Sequence, residues 1–300
     1  MAKSLFLTLG LILLFACSTP PQQLMGIEAL TSRTGEEVAV GVRERYQDIR
    51  SNCTDVEEAA FKCTGVIIRG TEASPLFHAW NPAPGSYERN GVSFSFLRKD
   101  AKFKKLPYDY NHGFILYPEN DQPANKNVIE VRCVFPLDGW TNYRINNACG
   151  ENPGFPESRP CQEQGVDTAQ KWLSHYTGPA GSVLSRQCGF KVHDNLGMAA
   201  AEAFDEAIKA MGLLGAQSFN SVNELILTPW EQNIGERLPI QAFFYIPTGA
   251  GGLAGAQEDQ EDFYGQTQIW LPIIQLTLPA TASVDANFEY IEDDQWTPAN

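Results

Sequence analysis

Apolar and polar positions along this chain follow two periods, and each change of period marks an element. From Met198 to Leu213, Ala201, Phe204, Ile208 and Met211 recur three or four residues apart, and Glu202, Asp205, Glu206 and Lys209 fall between them. That spacing predicts an amphipathic helix. Strand-like runs stand at Gly65–Ile68, Val92–Leu97, Gly113–Tyr117, Val128–Phe135, Glu224–Leu227, Ile240–Ile246 and Ile269–Leu278, with a last one near Phe288–Ile291. In Val92–Phe96, alternation puts Ser93 and Ser95 on one face and the apolar side chains on the other. Thr34 followed by Glu37 fits a capping box opening a helix through about Ile49. Asp167–Tyr176 reads as helical, and an acidic helix lies near Ala256–Tyr264. Asp138–Cys161, rich in Asn, Gly and Pro, reads as a long loop pinned by cysteines. Strands and helices intermixed without a regular βαβ alternation predict an α+β fold of mixed, mostly antiparallel sheets with flanking helices.

The first residues break this pattern. Lys3 is followed by a largely apolar run of twelve residues, Leu5–Ala16, and then by Cys17. Such a run suits a signal-peptide core and is too short to span a membrane. Leu14-Phe15-Ala16-Cys17 resembles a bacterial lipobox, in which the cysteine is lipidated. Ser18, with no Asp at that position, resembles the outer-membrane sorting pattern. The expected organisation is a signal peptide over 1–16, a lipidated tether over 17–33, one globular domain over 34–291 and an acidic tail over 292–300. The expected location is the outer membrane or cell surface, held by a lipid anchor; an ordinary secretory signal, and so a freely secreted protein, is the alternative.

Export changes the reading of the cysteines. Apart from Cys17 there are six, Cys53, Cys63, Cys133, Cys149, Cys161 and Cys188, and none forms a C-x-x-C. An even count in an exported chain argues for structural disulfides and against a metal or redox role. Pairing of sequence neighbours closes the shortest loops: Cys53–Cys63, Cys133–Cys149 and Cys161–Cys188. The formal charge of −14 at pH 7 argues against nucleic-acid binding. The one basic cluster, Arg98 to Lys105, reads as a solvated loop.

Several chemistries find no motif. G-x-S-x-G and H-E-x-x-H are absent, and His78, His112, His175 and His193 lie in separate segments, so no metal site is expected. Gly249-Ala-Gly-Gly-Leu-Ala254 matches a dinucleotide fingerprint after a strand. The helix behind it carries Glu258, Asp259, Glu261 and Asp262, which would repel a pyrophosphate, so the segment reads as a glycine turn. Glu258 and Glu261, a candidate carboxylate pair for a glycosidase, have the spacing of a solvated helix face.

Three dispersed segments carry more. Val66-Ile67-Ile68-Arg69-Gly70 ends a strand on an arginine, Val92-Ser93-Phe94-Ser95-Phe96 presents two hydroxyls, and Asn223-Glu224-Leu225-Ile226-Leu227-Thr228-Pro229 places a glutamate before an apolar strand and a proline. In order, they resemble the Arg, Ser-x-Ser and Glu motifs of mono-ADP-ribosyltransferases of the arginine–serine–glutamate class. Cleaving a nicotinamide–ribose bond develops positive charge on the sugar, which a fixed carboxylate stabilises. An arginine fork suits diphosphate or ribose oxygens, and strand-borne serines position ribose and glutamate. Taken singly, a strand-end arginine is also a surface residue, and Ser-x-Ser is also the wet face of a half-buried strand.

From about Glu36 to Ile291 the chain also resembles halovibrin, a secreted family described as ADP-ribosyltransferases or NAD glycohydrolases. The resemblance rests on Phe61–Gly70, Phe77–Pro82, Gly91–Arg98, Cys133–Pro136, Gln187–Phe190, Leu238–Tyr245 and Leu271–Pro279. It implies an ADP-ribosyltransferase-like core, with Glu224, Ser93 and Arg69 as catalytic residues and Ser95 in substrate binding. NAD is implied as substrate, with no permanently bound cofactor and a protein acceptor as a further partner. Val222 departs from the pattern: protein-modifying transferases carry Glu or Gln two residues before the catalytic glutamate, so its presence favours hydrolysis. A non-catalytic, envelope-anchored binding or adhesion module is the competing reading, with His78-Ala79-Trp80 and Gly139-Trp140 as aromatic loops. The enzyme reading requires Arg69, Ser93 and Glu224 to line one concave pocket.

Overall fold

The protein is described by a computed structural model over residues 27–53, 58–72, 77–178, 187–193, 197–213, 219–232, 234–248 and 250–298, with backbone alone for 27–34. The expected signal segment and Cys17 lie outside the described residues. The fold is α+β, with five α-helices among those residues and a nine-stranded sheet. The helices are α1 (Ile27–Gln47), α2 (Pro84–Glu88), α3 (Ala169–Thr177), α4 (Gly197–Leu213) and α5 (Gly252–Thr267). A small hairpin joins β1 (Asn52–Cys53) to β2 (Glu58–Ala59). The large sheet contains β3 (Val66–Gly70), β4 (Val92–Leu97), β5 (His112–Leu116), β6 (Val131–Phe135), β7 (Phe190–Lys191), β8 (Glu224–Leu227), β9 (Ile240–Tyr245), β10 (Ile273–Thr277) and β11 (Asn287–Tyr290). Their order is β11-β10-β9-β5-β3-β4-β8-β6-β7, and every neighbouring pair is antiparallel except β9–β10.

Both faces of the sheet are covered. On one, Phe94, Phe96, Phe114, Leu225 and Phe243 pack with Phe204, Ile208 and Met211 of α4 and Phe263 of α5. On the other, Val66, Ile68, Ile115, Phe244 and Ile274 pack with Ala39, Val42 and Tyr46 of α1. Helix α1 covers only part of that second face. Toward β6 and β8 the cover is irregular chain: Ala148 and Cys149 pack on Cys133, Phe135 and Ile226.

The three cysteine pairs are bridged as the spacing predicts: Cys53–Cys63, Cys133–Cys149 and Cys161–Cys188. The second bridge ties the loop after β6 back onto the sheet, and the third ties the segment before β7 to the chain ahead of α3.

Four local expectations are corrected. Helix α1 starts at Ile27, so Thr34 lies inside it and 27–33 are helical; that stretch holds no Pro or Gly to stop propagation. Arg98 is no part of a solvated loop. It is fully buried and paired with Asp205 (2.5 Å) and Asp100 (2.6 Å), which also draws Asp205 of α4 into the interior. In the acidic α5, Glu258 and Glu261 are exposed, as their spacing predicts, while Asp259 is buried beside His112 and Thr71, and burial raises its carboxyl to about 8. Trp80 does not present itself from a loop; it is buried, stacked on His78 at 4.5 Å. The acidic tail is docked: Gln295 bonds both backbone groups of Ile273, and Trp296 packs on Tyr264. The glycine turn leads into α5, with Gly251 at φ 86 as its N-cap.

Candidate active site

Strand register builds the site. Ile68 of β3 pairs with Ser95 of β4, Phe94 pairs with Leu225, and Glu224 of β8 pairs with Phe135 of β6. Because neighbouring residues alternate faces, Ile68, Ser95, Glu224 and Phe135 form one row across the sheet on the α1 side. Ser93 sits in the next row, diagonal to Glu224. The polar residues of these rows fall between the cover given by α1 and the cover given by the loop after β6. A cleft of about 700 Å³ opens there, with Arg69, Ser93, Ser95, Asp138 and Glu224 among its lining residues.

Glu224 is 7% exposed and held by both oxygens. Ser93 Oγ donates to Oε1 at 2.5 Å, and Thr141 Oγ1 donates to the same oxygen at 2.7 Å. The Gly139 N–H donates to Oε2 at 2.9 Å. Burial first, and then the charge of Asp138, push this carboxyl up to about 7, against the three donors that favour its ionised form.

The loop that supplies Gly139 and Thr141 is shaped for that contact. A Cβ on Gly139 would lie 2.6 Å from the Phe135 ring, so only glycine lets the backbone come this close. Trp140, next in sequence, takes a left-handed conformation (φ 52, ψ 47). Arg144 fastens the loop from beneath. Its guanidinium lies 4.8 Å from the Phe135 ring centroid and donates to the carbonyls of Gly139 (2.6 Å), Gly150 (3.3 Å), Ser158 (2.9 Å) and Gln187. Burial lowers Arg144 to about 10, so it is cationic at neutral pH.

Arg69 has the opposite parity to Ile68 and lies over Phe94, 5.8 Å from the ring centroid. Its Nη1 donates to the Ser93 carbonyl at 2.7 Å, tying β3 to the strand that presents the serine. Burial lowers it to about 10. Its Nε and that of Arg89, which also lines the cleft, have no hydrogen-bond partner among the described residues. Two guanidinium groups thus border the cleft, which suits an anionic group. At the rim, Trp140, Tyr143 and Tyr108 are 46%, 64% and 76% exposed. Asn142 Nδ2 donates to the Tyr108 hydroxyl across the opening at 3.3 Å.

Arg69, Ser93 and Glu224 therefore line one concave site, although 155 positions separate the first from the last. Ser95 is buried in the floor beside Glu224 and makes no hydrogen bond to it. Because β4 is covered on both faces, its serines are not the wet side of a half-buried strand. Sequence reasoning passed over Gly139, Thr141, Asp138 and Arg144, all in or at the start of the Asp138–Cys161 loop. The available signal was that the Cys133–Cys149 bridge brings this loop back onto the end of β6. Among the described residues no cluster of His, Cys, Asp or Glu could hold a metal ion. No protein-family model and no curated protein matches the chain.

Proposed function

We propose that this chain is an exported enzyme that cleaves the nicotinamide–ribose bond of NAD, acting as a hydrolase or a mono-ADP-ribosyltransferase, and that it belongs with the halovibrins on an ADP-ribosyltransferase-like core. One observation carries the reading: the Ser93 hydroxyl donates to the buried Glu224 carboxylate at 2.5 Å while Arg69 grips the backbone of the same serine. Bond cleavage leaves the electron pair on the nicotinamide nitrogen and positive charge on the ribose. A carboxylate locked by three donors can meet that charge without reorganising. Ser93 and Thr141 hold it in place, and the arginine side of the cleft receives the diphosphate. NAD is a substrate here and not a resident cofactor. Val222 is buried in the core next to this site, which favours water over a protein arginine as acceptor. A protein acceptor remains a further partner of the transferase form.

The test is nicotinamide release from NAD by the purified protein. Glu224→Gln should lower turnover on the order of 10²–10³-fold with little change in NAD affinity, since ground-state NAD carries little of the ribose charge. Ser93→Ala should cost less, and Arg69→Ala should weaken binding as well as turnover. The exposed rim of Trp140, Tyr143 and Tyr108 favours a second reading, an envelope-anchored binding module, which replaces the first if the wild-type protein releases no nicotinamide.

The three disulfides support an oxidising, extracytoplasmic location. No described helix is long and apolar enough to cross a membrane. Cys17 lipidation would supply the membrane contact, and Cys17→Ala should then release the protein from the membrane fraction. The net charge of −14 supports no nucleic-acid partner.

A further inference from the structure

Both oxygens of Glu224 are engaged: Oε1 accepts from Ser93 and Thr141, and Oε2 accepts from Gly139. A carboxylate pinned at both oxygens and buried serves as a fixed charge and is poorly placed to meet a water that comes in from the cleft. Val222, two residues before it, supplies no second carboxylate. One does line the cleft, from the other side of Gly139. Asp138 directly precedes the glycine whose N–H binds Glu224. Its Oδ1 accepts the Trp140 N–H at 3.0 Å, and its other oxygen has no hydrogen bond among the described residues. The backbone beneath it is anchored, since Gln187 Nε2 donates to the Asp138 carbonyl at 2.6 Å.

We propose that Asp138 is the general base that activates the attacking water, a catalytic residue distinct from the arginine–serine–glutamate trio. The proposal rests on the NAD-cleaving reading. In the step, the water oxygen bonds to the anomeric carbon of the ribose and the bond from that carbon to the nicotinamide nitrogen breaks. The electron pair of the broken bond neutralises the pyridinium ring. The water proton passes to the free oxygen of Asp138 and then to solvent, so NAD and water give ADP-ribose, nicotinamide and a proton. Burial raises the Asp138 carboxyl above its ordinary range, which brings it closer to the strength a base needs near neutral pH.

The test separates a base from a structural carboxylate. Asp138→Asn keeps an oxygen for the Trp140 N–H and removes the base. In the intact, disulfide-bonded protein it should lower NAD hydrolysis roughly 10²-fold or more. Azide is an anionic nucleophile with no proton to lose. It should restore nicotinamide release in Asp138→Asn, with ADP-ribosyl azide as product, and should not restore it in Glu224→Gln. NAD binding and the near-ultraviolet circular dichroism of Asp138→Asn, measured alongside, report its fold. Asp138→Glu, which returns a carboxylate, should recover part of the hydrolysis. Hydrolysis by Asp138→Asn within threefold of wild type overturns the proposal and leaves the NAD reading standing. So does a folded, NAD-binding Asp138→Asn that azide does not rescue. If Asp138→Asn is misfolded, the decision passes to Asp138→Glu: a folded Asp138→Glu without hydrolysis overturns the proposal. Absence of nicotinamide release by wild type removes the NAD reading and this proposal with it.

Discussion

Glu224→Gln should make the protein more stable in mild alkali and change its stability little in acid, whatever its effect on turnover. The Glu224 carboxyl is raised from its ordinary 4.5 to about 7, burial being the first cause and Asp138 the second. Between those values the folded protein holds a proton that the unfolded chain releases. Stability therefore falls as pH rises through this window, and the loss is complete above about 7. A displacement of that size corresponds to roughly 3 kcal/mol, of which roughly 2–3 kcal/mol falls between pH 5 and pH 8. Gln does not titrate, and it still fits the site: its carbonyl can accept the Gly139 N–H while its amide donates to the hydroxyl oxygens of Ser93 and Thr141. The measurement is denaturant unfolding of both proteins, disulfides intact, at pH 5 and pH 8. Relative to wild type, Glu224→Gln should gain about 2–3 kcal/mol on going from the lower to the higher pH. For a chain of this length that is a rise in Tm of roughly 5 °C. Asp138→Asn should shrink this pH dependence, because it removes the like charge that helps to raise Glu224. An equal stability difference at both pH values would refute the assignment of Glu224 as a buried, destabilised carboxylate.

Three further outcomes follow from the same structure. NAD cleavage should rise with pH through about 7 as Glu224 ionises, and a flat profile of kcat from pH 5 to pH 8 would contradict its role as a charge stabiliser. Replacing Cys133 and Cys149 together by Ser opens a 16-residue link and should cost about 3 kcal/mol in urea unfolding. At a temperature where both variants remain folded, it should lower nicotinamide release more than loss of the Cys53–Cys63 bridge, because it frees the loop that carries Gly139 and Thr141. Arg98→Met leaves Asp205 buried without its closest arginine and should destabilise by roughly 3–5 kcal/mol, toward the low end because Lys209 stands 2.7 Å from the same carboxylate. Adding Asp205→Leu should recover most of that loss, and failure to do so would mean that the pair supports packing beyond its charges.

Much of this protein could be read from its sequence. Period alone located β4 and β8 at their observed bounds, Val92–Leu97 and Glu224–Leu227, and helix α4 to within a residue. These are segments whose apolar spacing matches one regular structure and whose neighbours break it. The expectation of export and the loop lengths together gave all three disulfides. The alternation that sets Ser93 and Ser95 on one face is a property of any strand, and it carried directly into the cleft floor.

Other features depended on which distant segments meet. Nothing local distinguishes Arg98 from the lysines beside it; Asp205, brought over by α4, makes its burial tolerable. Nothing in Glu292–Asn300 announces that Gln295 will bond the backbone of β10. The loop after β6 looked like connection because its composition is that of a connection. Its function as a clamp comes from Arg144 gathering four carbonyls and from a glycine lying against Phe135. The sequence by itself determined the elements, the bridges and the residues with the right chemistry, since those follow from period, spacing and side-chain type. Only the tertiary structure decided that β4 lies between β3 and β8, and so that Arg69, Ser93 and Glu224 share one cleft. Strand order arises from long-range pairing, and no short stretch of chain encodes its partner.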